Sequence, residues 1–425
     1  MRPTVTRRTK RVGPGTLGGM GETDLPVGIE DVRAARTLLQ GVVRTTPLMA
    51  MRALTDRVGG PVHLKCENFQ RAGSFKIRGA YTRIARLTPA ERAGGVVAAS
   101  AGNHAQGVAL AATTLGARST VFMPHGAPIP KVAATTAYGA DVRMHGATVD
   151  EALVAALAWS ETSGAVLIHP FDHVDIVAGQ GTVGLEILEQ CPDVRTIVVC
   201  TGGGGLLAGI AVAVKALRPD VRLVGVQASG AAAYPASLAA GHPVALGTMT
   251  TMADGIAVGC PGAVPFALVQ ALVDDIITVH EEALSRALLL CLERAKLVVE
   301  PAGVAAVAAL LEDPGAFDPP VVAVVSGGNI DTLLLLRVLR HGLAAAGRYV
   351  SFRVRIQDRP GALASLLAEV AAADASVLEV EHLRTDPKLT VDEVEVALRL
   401  ETRGPEHCAA VLDRLRAVGY ALHPG

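Results

Sequence analysis

One lysine stands where its side-chain amine can react. Lys76 lies in the segment 74–80, flanked by Gly73 and Gly79, after a predicted strand over residues 63–66. A lysine that begins a helix meets the positive end of the helix dipole, and partial burial disfavours its charge further. Both effects favour a neutral amine, which is the form that makes a Schiff base with a carbonyl group. A surface lysine behind a serine helix cap is the alternative, but lysine is rare in this arginine-rich chain and the flanking glycines indicate tightly packed backbone.

A run of four glycines, residues 202–205, separates a predicted strand over 196–200 from a predicted helix over 206–217. Successive backbone amides at a helix N-terminus bind phosphate well. No lysine follows as in a nucleoside triphosphate loop, and the next strand ends in Gln227 where a dinucleotide site needs an acidic residue. The run therefore predicts a phosphate site without a nucleoside, with a flexible turn as the alternative.

Two further strand-to-helix turns carry polar residues. Residues 100–104 read Ser-Ala-Gly-Asn-His, and residues 326–329 read Ser-Gly-Gly-Asn. Asn103 and the neighbouring amides suit a substrate carboxylate or a cofactor oxygen, although Asn103 as a plain helix cap is an open alternative. His104 is a weaker candidate, because a histidine in such a position is more often packed or capping than catalytic. Ser326 is placed to donate a hydrogen bond to a ring nitrogen, or it belongs to another glycine turn.

The elements around these turns predict an α/β fold. Short uncharged strands alternate with alanine-rich helices up to about residue 330, which favours parallel sheets covered on both faces. Ligands in such sheets lie at the carboxyl ends of the strands. Four polar turns in one alternating sheet therefore predict a single site.

The pattern changes after a predicted linker over residues 341–347. Residues 350–356 alternate apolar with polar, as a half-exposed strand does, and the turn 358–361 leads into a helix. Two more strands, a helix and a last strand complete a ferredoxin-like βαββαβ unit over 348–425.

Composition limits the kinds of partner. The chain has 425 residues, a net charge of −1 and 3% aromatic residues, which excludes the basic surface and stacking platforms of a nucleic-acid binder. Its six cysteines are scattered without a Cys-x-x-Cys pair, which is typical of reduced thiols in a cytoplasmic protein. Residues 1–27 predict a disordered tail rather than an export signal, and no segment predicts a membrane span.

The chain resembles the threonine dehydratases (threonine ammonia-lyases), a branch of the fold-type II pyridoxal phosphate enzymes. The resemblance spans about residues 45–330 and consists of these motifs in family order: S-F-K-I-R-G-A from Ser74, S-A-G-N-H-A-Q-G-V-A from Ser100, G-Q-G-T from Gly179, G-G-G-G-L-L-A-G from Gly202, A-D-G-I-A from Ala253, E-P-A-G from Glu300 and S-G-G-N from Ser326. It implies a tryptophan synthase β-like fold over 28–340, in which a smaller parallel-sheet subdomain, about 65–165, is inserted into a larger one.

The resemblance also implies roles. Lys76 is the catalytic residue and carries pyridoxal 5′-phosphate, while Phe75 lies against its ring. Asn103 contacts the ring hydroxyl and Ser326 the ring nitrogen. The implied phosphate cradle is Gly202, Gly203, Gly204, Gly205 and Leu206. The implied substrate-binding loop is Ser100, Ala101, Gly102, Asn103 and His104.

The activity implied by the resemblance is the conversion of L-threonine to 2-oxobutanoate and ammonia, and of L-serine to pyruvate. A serine-preferring ammonia-lyase and an inactive amino-acid sensor are the alternatives. The similar serine racemases have a second serine where this chain has Ala101, and acidic metal ligands where residues 228–233 here are small and uncharged, so we expect poor racemisation and no divalent metal there.

The C-terminal unit resembles a single ACT domain, with Asp358-Arg359-Pro360-Gly361 at its signature turn. Such domains commonly bind an amino acid between two copies. The resemblance implies allosteric control by isoleucine or valine and a homodimer or homotetramer, with a domain that only mediates assembly as the alternative.

Overall fold

The computed structural model describes residues 25–384 and 389–424. Residues 1–24 of the predicted disordered tail lie outside the described residues. Its last three residues, 25–27, are described, and Val27 is buried. The described chain forms three β-sheets with helices packed against them.

The largest sheet has six strands in the order β1-β2-β10-β7-β8-β9. Their bounds are β1 (Leu48–Ala50), β2 (Val62–Cys66), β7 (Thr196–Cys200), β8 (Arg222–Ala228), β9 (Asp275–Val279) and β10 (Val321–Val325). All neighbours are parallel except β1, which runs antiparallel to β2. Every residue of β7 and β10 is buried, so helices cover both faces of the sheet, as uncharged parallel strands require.

The second sheet has four parallel strands in the order β5-β4-β3-β6. Their bounds are β3 (Val96–Ala99), β4 (Ser119–Met123), β5 (Asp141–Met144) and β6 (Val166–Leu167). The polar turns are thus divided between two sheets, contrary to the expectation of one. Residues 100–104 follow β3 of the small sheet, whereas residues 201–204 and 326–329 follow β7 and β10 of the large one.

Within the described residues, sixteen α-helices accompany these strands and the C-terminal sheet. Those around the small sheet are α3 (Lys76–Ala85), α4 (Pro89–Gly94), α5 (Asn103–Thr114), α6 (Ile129–Ala137) and α7 (Val149–Ser163). Those of the larger part are α1 (Ile29–Leu38), α2 (Arg52–Val58), α8 (Val174–Gln190), α9 (Gly205–Leu217), α10 (Ala233–Ala240), α11 (Ala263–Leu272), α12 (Glu281–Leu290), α13 (Ala305–Glu312) and α14 (Thr332–Ala345).

Helix α8 joins the two parts through glycines. A Cβ on Gly179 would lie 2.5 Å from the carbonyl oxygen of Arg78 in α3, and a Cβ on Gly181 would lie 2.8 Å from the carbonyl oxygen of Gly209 in α9. Contacts this short leave no room for a side chain. The G-Q-G-T motif therefore fixes α3, the helix that begins with Lys76, against the large core.

The C-terminal sheet is antiparallel, with the order β12-β13-β11-β14. Its elements are β11 (Tyr349–Gln357), α15 (Ala362–Ala372), β12 (Ser376–Leu383), β13 (Glu393–Glu401), α16 (Pro405–Ala417) and β14 (Leu422–Pro424). The sequence order βαββαβ and this strand order are those of a ferredoxin-like unit, as predicted. The alternating apolar residues of β11 and β13 face a core that α15 and α16 complete.

The segment predicted as a linker is helical through Ala345, because α14 continues into it. Gly342, which lies inside the predicted linker, is buried in this helix, where a Cβ would lie 3.3 Å from the carbonyl oxygen of Ser285. Close packing, not flexibility, explains that glycine.

Across the described ranges 25–384 and 389–424, none of the helices combines the length and the apolar character needed to cross a bilayer.

Candidate active site

Every residue that the sequence predicts for the site lines one cavity of about 790 Å³. The cavity lies where the carboxyl ends of β3, β7 and β10 meet. It is lined by Phe75 and Lys76, by the loops 100–104 and 202–206, and by Ser326. The structure thus brings together residues that are as far as 251 positions apart in the sequence, from Phe75 to Ser326.

Lys76 is the first residue of α3 and is partly buried, so the surface-lysine alternative is wrong. Its Nζ donates a hydrogen bond of 2.9 Å to the carbonyl oxygen of Pro170 and lies 5.2 Å from the centre of the Phe75 ring. Burial lowers the pKa of Lys76 to about 8, against the opposing influence of Cys200 and Glu300. A large fraction of the amine is therefore neutral and nucleophilic near pH 8.

The glycine loop leads directly into α9, which begins at Gly205. Gly204 has φ +97°, and a Cβ on Gly203 would lie 2.4 Å from the ring of Phe171. Within the described chain, no acceptor takes the backbone N–H groups of residues 203–206. Free amides at a helix N-terminus, in a glycine loop that has no side chains to block access, are suited to bind a phosphate group. This arrangement favours a phosphate site over a merely flexible turn.

Asn103 is held by two residues from the other side of the cavity. Its Nδ2 donates to Oε1 of Glu300 at 2.6 Å, and its Oδ1 accepts from Nδ2 of Asn329 at 2.8 Å. Asn103 is the first residue of α5 after the N-cap Gly102, whose cap has no side-chain hydrogen bond, so Asn103 is not a plain helix cap. One proton of the Asn103 amide is left to donate into the cavity.

Glu300 is a carboxyl group that the sequence interpretation left without a role. It is 2% exposed, and burial together with the nearby charge of Asp254 raises its pKa to about 7. Asp254 pairs with Lys131 of α6 at 2.6 Å, and all three side chains line the cavity. Asp254 and Glu300 belong to the A-D-G-I-A and E-P-A-G motifs, so the sequence marks both positions but does not indicate what their side chains do.

His104 behaves as the packed histidine that the sequence left as an alternative. Its Nε2 lies 2.7 Å from the carbonyl oxygen of Ile168, so this nitrogen carries the proton and donates. Burial lowers the pKa of His104 to about 3, with the charge of Lys76 acting in the same direction. The imidazole is therefore neutral near pH 7 and serves as wall and support rather than as an acid.

Ser326 follows the last residue of β10 and is 2% exposed. Its Oγ accepts a hydrogen bond of 3.1 Å from the thiol of Cys200, the last residue of β7. Its carbonyl oxygen accepts from the backbone N–H of Phe75 at 3.2 Å, which ties Ser326 to the lysine segment. Cys200 was not predicted for the site, although it ends the strand that leads into the glycine loop, because its contact with Ser326 joins residues 126 positions apart.

An ion cluster beneath the cavity supports α3. The guanidinium of Arg78 is fully buried and pairs with Glu67 at 2.8 Å and Glu186 at 2.7 Å. Glu186 also pairs with Lys65 at 2.6 Å, and Lys65 is equally buried. Arg78 lies two residues after Lys76, so this cluster fixes the turn of helix that carries the Lys76 amine.

Comparison with known proteins gives a consistent result. Residues 39–327 match the family model described as "Pyridoxal-phosphate dependent enzyme". The chain is 45% identical over 396 residues to the L-threonine ammonia-lyase of Thermotoga maritima, which covers 93% of this chain and 99% of that protein.

Two solved structures share the fold. The processed form of threonine deaminase isoform 2 from Solanum lycopersicum superposes with a TM-score of 0.70 at 35% identity, over 77% of this chain and 99% of that one. Maize serine racemase gives a TM-score of 0.70 at 37% identity, over 75% of this chain and 98% of that one.

The geometry of the residues that line the cavity is itself suited to pyridoxal phosphate. A partly buried lysine provides the amine for its aldehyde, and the free amides at the start of α9 provide a phosphate site. The buried hydroxyl of Ser326 and the free amide proton of Asn103 are donors for its ring. The chain therefore belongs to the pyridoxal-phosphate dependent enzymes.

Proposed function

We propose that this protein is a threonine ammonia-lyase, which dehydrates and deaminates L-threonine to 2-oxobutanoate and ammonia and accepts L-serine as a second substrate. The observation that carries the proposal is the cavity itself, where Lys76, the free amides of residues 203–206 and the loop 100–104 meet. The similarity to the Thermotoga maritima L-threonine ammonia-lyase over 93% of the chain supports the same activity.

The proposed roles follow from the positions of the side chains. When bound, pyridoxal phosphate withdraws electrons from the substrate and makes its α-proton acidic. The Lys76 amine, with its lowered pKa, takes that proton as the general base. The amides of residues 203–206 hold the phosphate, and the loop 100–104 holds the substrate carboxylate. The neutral hydroxyl of Ser326 donates to the ring nitrogen without charging it, which favours prompt elimination of the β-hydroxyl.

The test is a steady-state assay of the purified full-length protein with pyridoxal 5′-phosphate and L-threonine, followed by quantification of 2-oxobutanoate and ammonia. We expect equal amounts of both products, and a loss of at least about 10³-fold in turnover for Lys76→Ala, which removes the base. Parallel assays with L-serine give the ratio of kcat/KM for the two substrates. A higher kcat/KM for L-serine than for L-threonine would replace the proposal with a serine-preferring lyase. Cofactor binding without formation of a keto acid would favour an amino-acid sensor.

The structural similarity to a serine racemase does not favour racemisation. The fold is shared, but the position after Ser100 is Ala101, which lines the cavity and has no group that can accept or give a proton. Chiral chromatography of L-serine after incubation with the enzyme tests this difference. D-serine formed at a rate comparable to pyruvate would contradict it.

We also propose that residues 348–425 are an ACT domain that mediates homo-oligomerisation and binds isoleucine or valine as an allosteric effector. Strand β12 supports this proposal, since it is an edge strand with a free backbone edge. Val377, Leu378 and Val380 are between 37% and 56% exposed on it, which leaves apolar surface for a second copy of the chain. The turn at Gly361, with φ +87°, forms the start of α15 beside this sheet.

Activity measured against increasing isoleucine and valine tests the regulatory part, and sedimentation of the full-length protein tests the assembly. We expect one of the two amino acids to change the KM for threonine, and Leu378→Asp to weaken both the response and the oligomer. Leu336→Asp, an exposed leucine of α14 outside this sheet, is the matched control. An oligomer without any amino-acid response would leave the domain as an assembly module.

A further inference from the structure

Two neighbouring strands of the large sheet end in side chains that meet at the cavity. Ser326 follows β10 and Cys200 ends β7, which pairs with β10 in parallel. The Cys200 thiol is 4% exposed, lines the cavity and donates to Oγ of Ser326 at 3.1 Å. Burial raises the pKa of the Cys200 thiol to about 11, so it keeps its proton near neutral pH.

This hydrogen bond determines what the serine hydroxyl can do. A hydroxyl has one proton to donate and two lone pairs that accept. In the described part of the chain, Ser326 Oγ accepts from Cys200, and its own proton has no acceptor. With one lone pair occupied by the thiol, the hydroxyl rotates over fewer positions, and its proton is left for a group inside the cavity.

We propose that Cys200 is a positioning residue that orients the Ser326 hydroxyl, so that the serine proton points to the ring nitrogen of the cofactor. This inference rests on the proposed contact between Ser326 and that nitrogen. Cys200 acts through Ser326 and takes no part in proton transfer to the substrate.

The chain offers a matched control on the other side of β10. Cys66 ends β2, pairs in register with Val325 and is buried, as Cys200 is. Its thiol donates to the carbonyl oxygen of Leu64 in its own strand at 3.4 Å, so it holds no cavity side chain. Cys66→Ala, like Cys200→Ala, removes one buried thiol group at the carboxyl end of a strand next to β10.

The experiment compares apoprotein of the wild type, Cys200→Ala, Cys200→Ser, Cys66→Ala, Ser326→Ala and the double variant Cys200→Ala/Ser326→Ala. Equilibrium dialysis gives the Kd of pyridoxal 5′-phosphate, and the absorption spectrum of the bound cofactor is recorded between pH 6 and 9. We expect Cys200→Ala to weaken cofactor binding by about three- to tenfold, the value of one oriented hydrogen bond, and to shift the pH dependence of the absorption band. Cys200→Ser keeps a donor and should recover most of the affinity, while Cys66→Ala should match the wild type.

The double variant decides whether Cys200 acts through the serine. If it does, removing the thiol in the Ser326→Ala background changes Kd by less than about twofold, because the two losses are not additive. An equal effect of Cys200→Ala in both backgrounds, or an effect no larger than that of Cys66→Ala, would overturn the proposal. Turnover of L-threonine by the wild type is measured separately, so a failure of the proposed activity is not confused with a failure of this contact.

Discussion

Replacing Arg78 by methionine tests whether the ion cluster under α3 holds the reactive helix in place. Its guanidinium is fully buried and makes hydrogen bonds to Glu67 at 2.9 and 2.8 Å, to Glu186 at 2.7 Å and to Thr182 at 3.1 Å. Methionine fills much of the volume and replaces none of these bonds. The two carboxylates remain buried, with Lys65 as the cation that still pairs with Glu186.

The expected loss of stability is large because a buried charge is left without a partner. Removing one member of a buried ion pair lowers the free energy of unfolding by about 3–5 kcal/mol, mainly because the remaining charge stays buried without a partner. For a domain of this size, about 3–5 kcal/mol corresponds to a fall in Tm of roughly 5–15 °C. Because Arg78 is two residues from Lys76, we also expect weaker cofactor binding in the variant.

The loss should depend on pH in a defined direction. Burial alone would raise the pKa of Glu186, but the charges of Arg78 and Lys65 outweigh burial and lower it. A lowered carboxyl pKa contributes stability above the unfolded value of about 4.3, and this contribution disappears as the pH falls through the folded pKa. Without Arg78 the contribution is smaller, so the difference between wild type and variant is largest near pH 7 and shrinks below about pH 4.5.

The assay is thermal unfolding of the apoprotein followed by circular dichroism at several pH values. Arg83→Met is the control, since Arg83 lies on the same helix but is 19% exposed and contacts Asp175 at 3.5 Å. It should cost no more than about 1 kcal/mol. If Arg78→Met lowers Tm no more than Arg83→Met does, or if the difference at about pH 3.5 is as large as at pH 7, the ion cluster does not stabilise α3 in this way.

Three further predictions concern the cavity. The rate at which the apoprotein captures pyridoxal 5′-phosphate should rise with pH and level off above a midpoint of about 8, because only the neutral amine of Lys76 reacts; a rate that is flat from pH 6 to 9 would contradict this. Gly204→Ala should abolish tight cofactor binding, since φ is +97° and the new Cβ would lie 1.8 Å from Oη of Tyr234, whereas Gly241→Ala, at φ +77° in open space, should cost only about 1 kcal/mol of stability. The imidazole of His104 should show no titration between pH 5 and 8 by NMR, because burial lowers its pKa to about 3.

Much of the architecture was accessible from the sequence because the strands of a doubly covered sheet are short, apolar and uncharged. The strand over 196–200 was predicted at the residues where it occurs. The antiparallel strand β1 was not predicted, since its three residues carry no periodic signal. The helical end of α14 was missed because Gly342 suggests a break when its close packing partner is unknown.

The candidate site was predictable where chemistry is local and unpredictable where it depends on distant contacts. Lys76 and the glycine loop are marked by their own neighbours, so residue type and spacing were enough to select two segments that line one cavity. The partners of Asn103 lie 197 and 226 positions away, and the thiol that meets Ser326 lies 126 positions away. Cys200 and Cys66 end the two strands on either side of β10, and only the structure shows that Cys200 is the one whose thiol meets Ser326.

These distant contacts link the two sheets to the chemistry of the cavity. Asn103 follows β3 of the small sheet, but its amide is held by Glu300 and Asn329 from the larger part. Lys131 of α6, packed beside the small sheet, pairs with Asp254 from the larger part. Any rotation of one sheet relative to the other must therefore stretch the same hydrogen bonds that set the direction of the Asn103 amide proton. The direction of that donor therefore depends on how the two sheets are packed, because residues of the larger part hold the Asn103 amide that follows the small sheet.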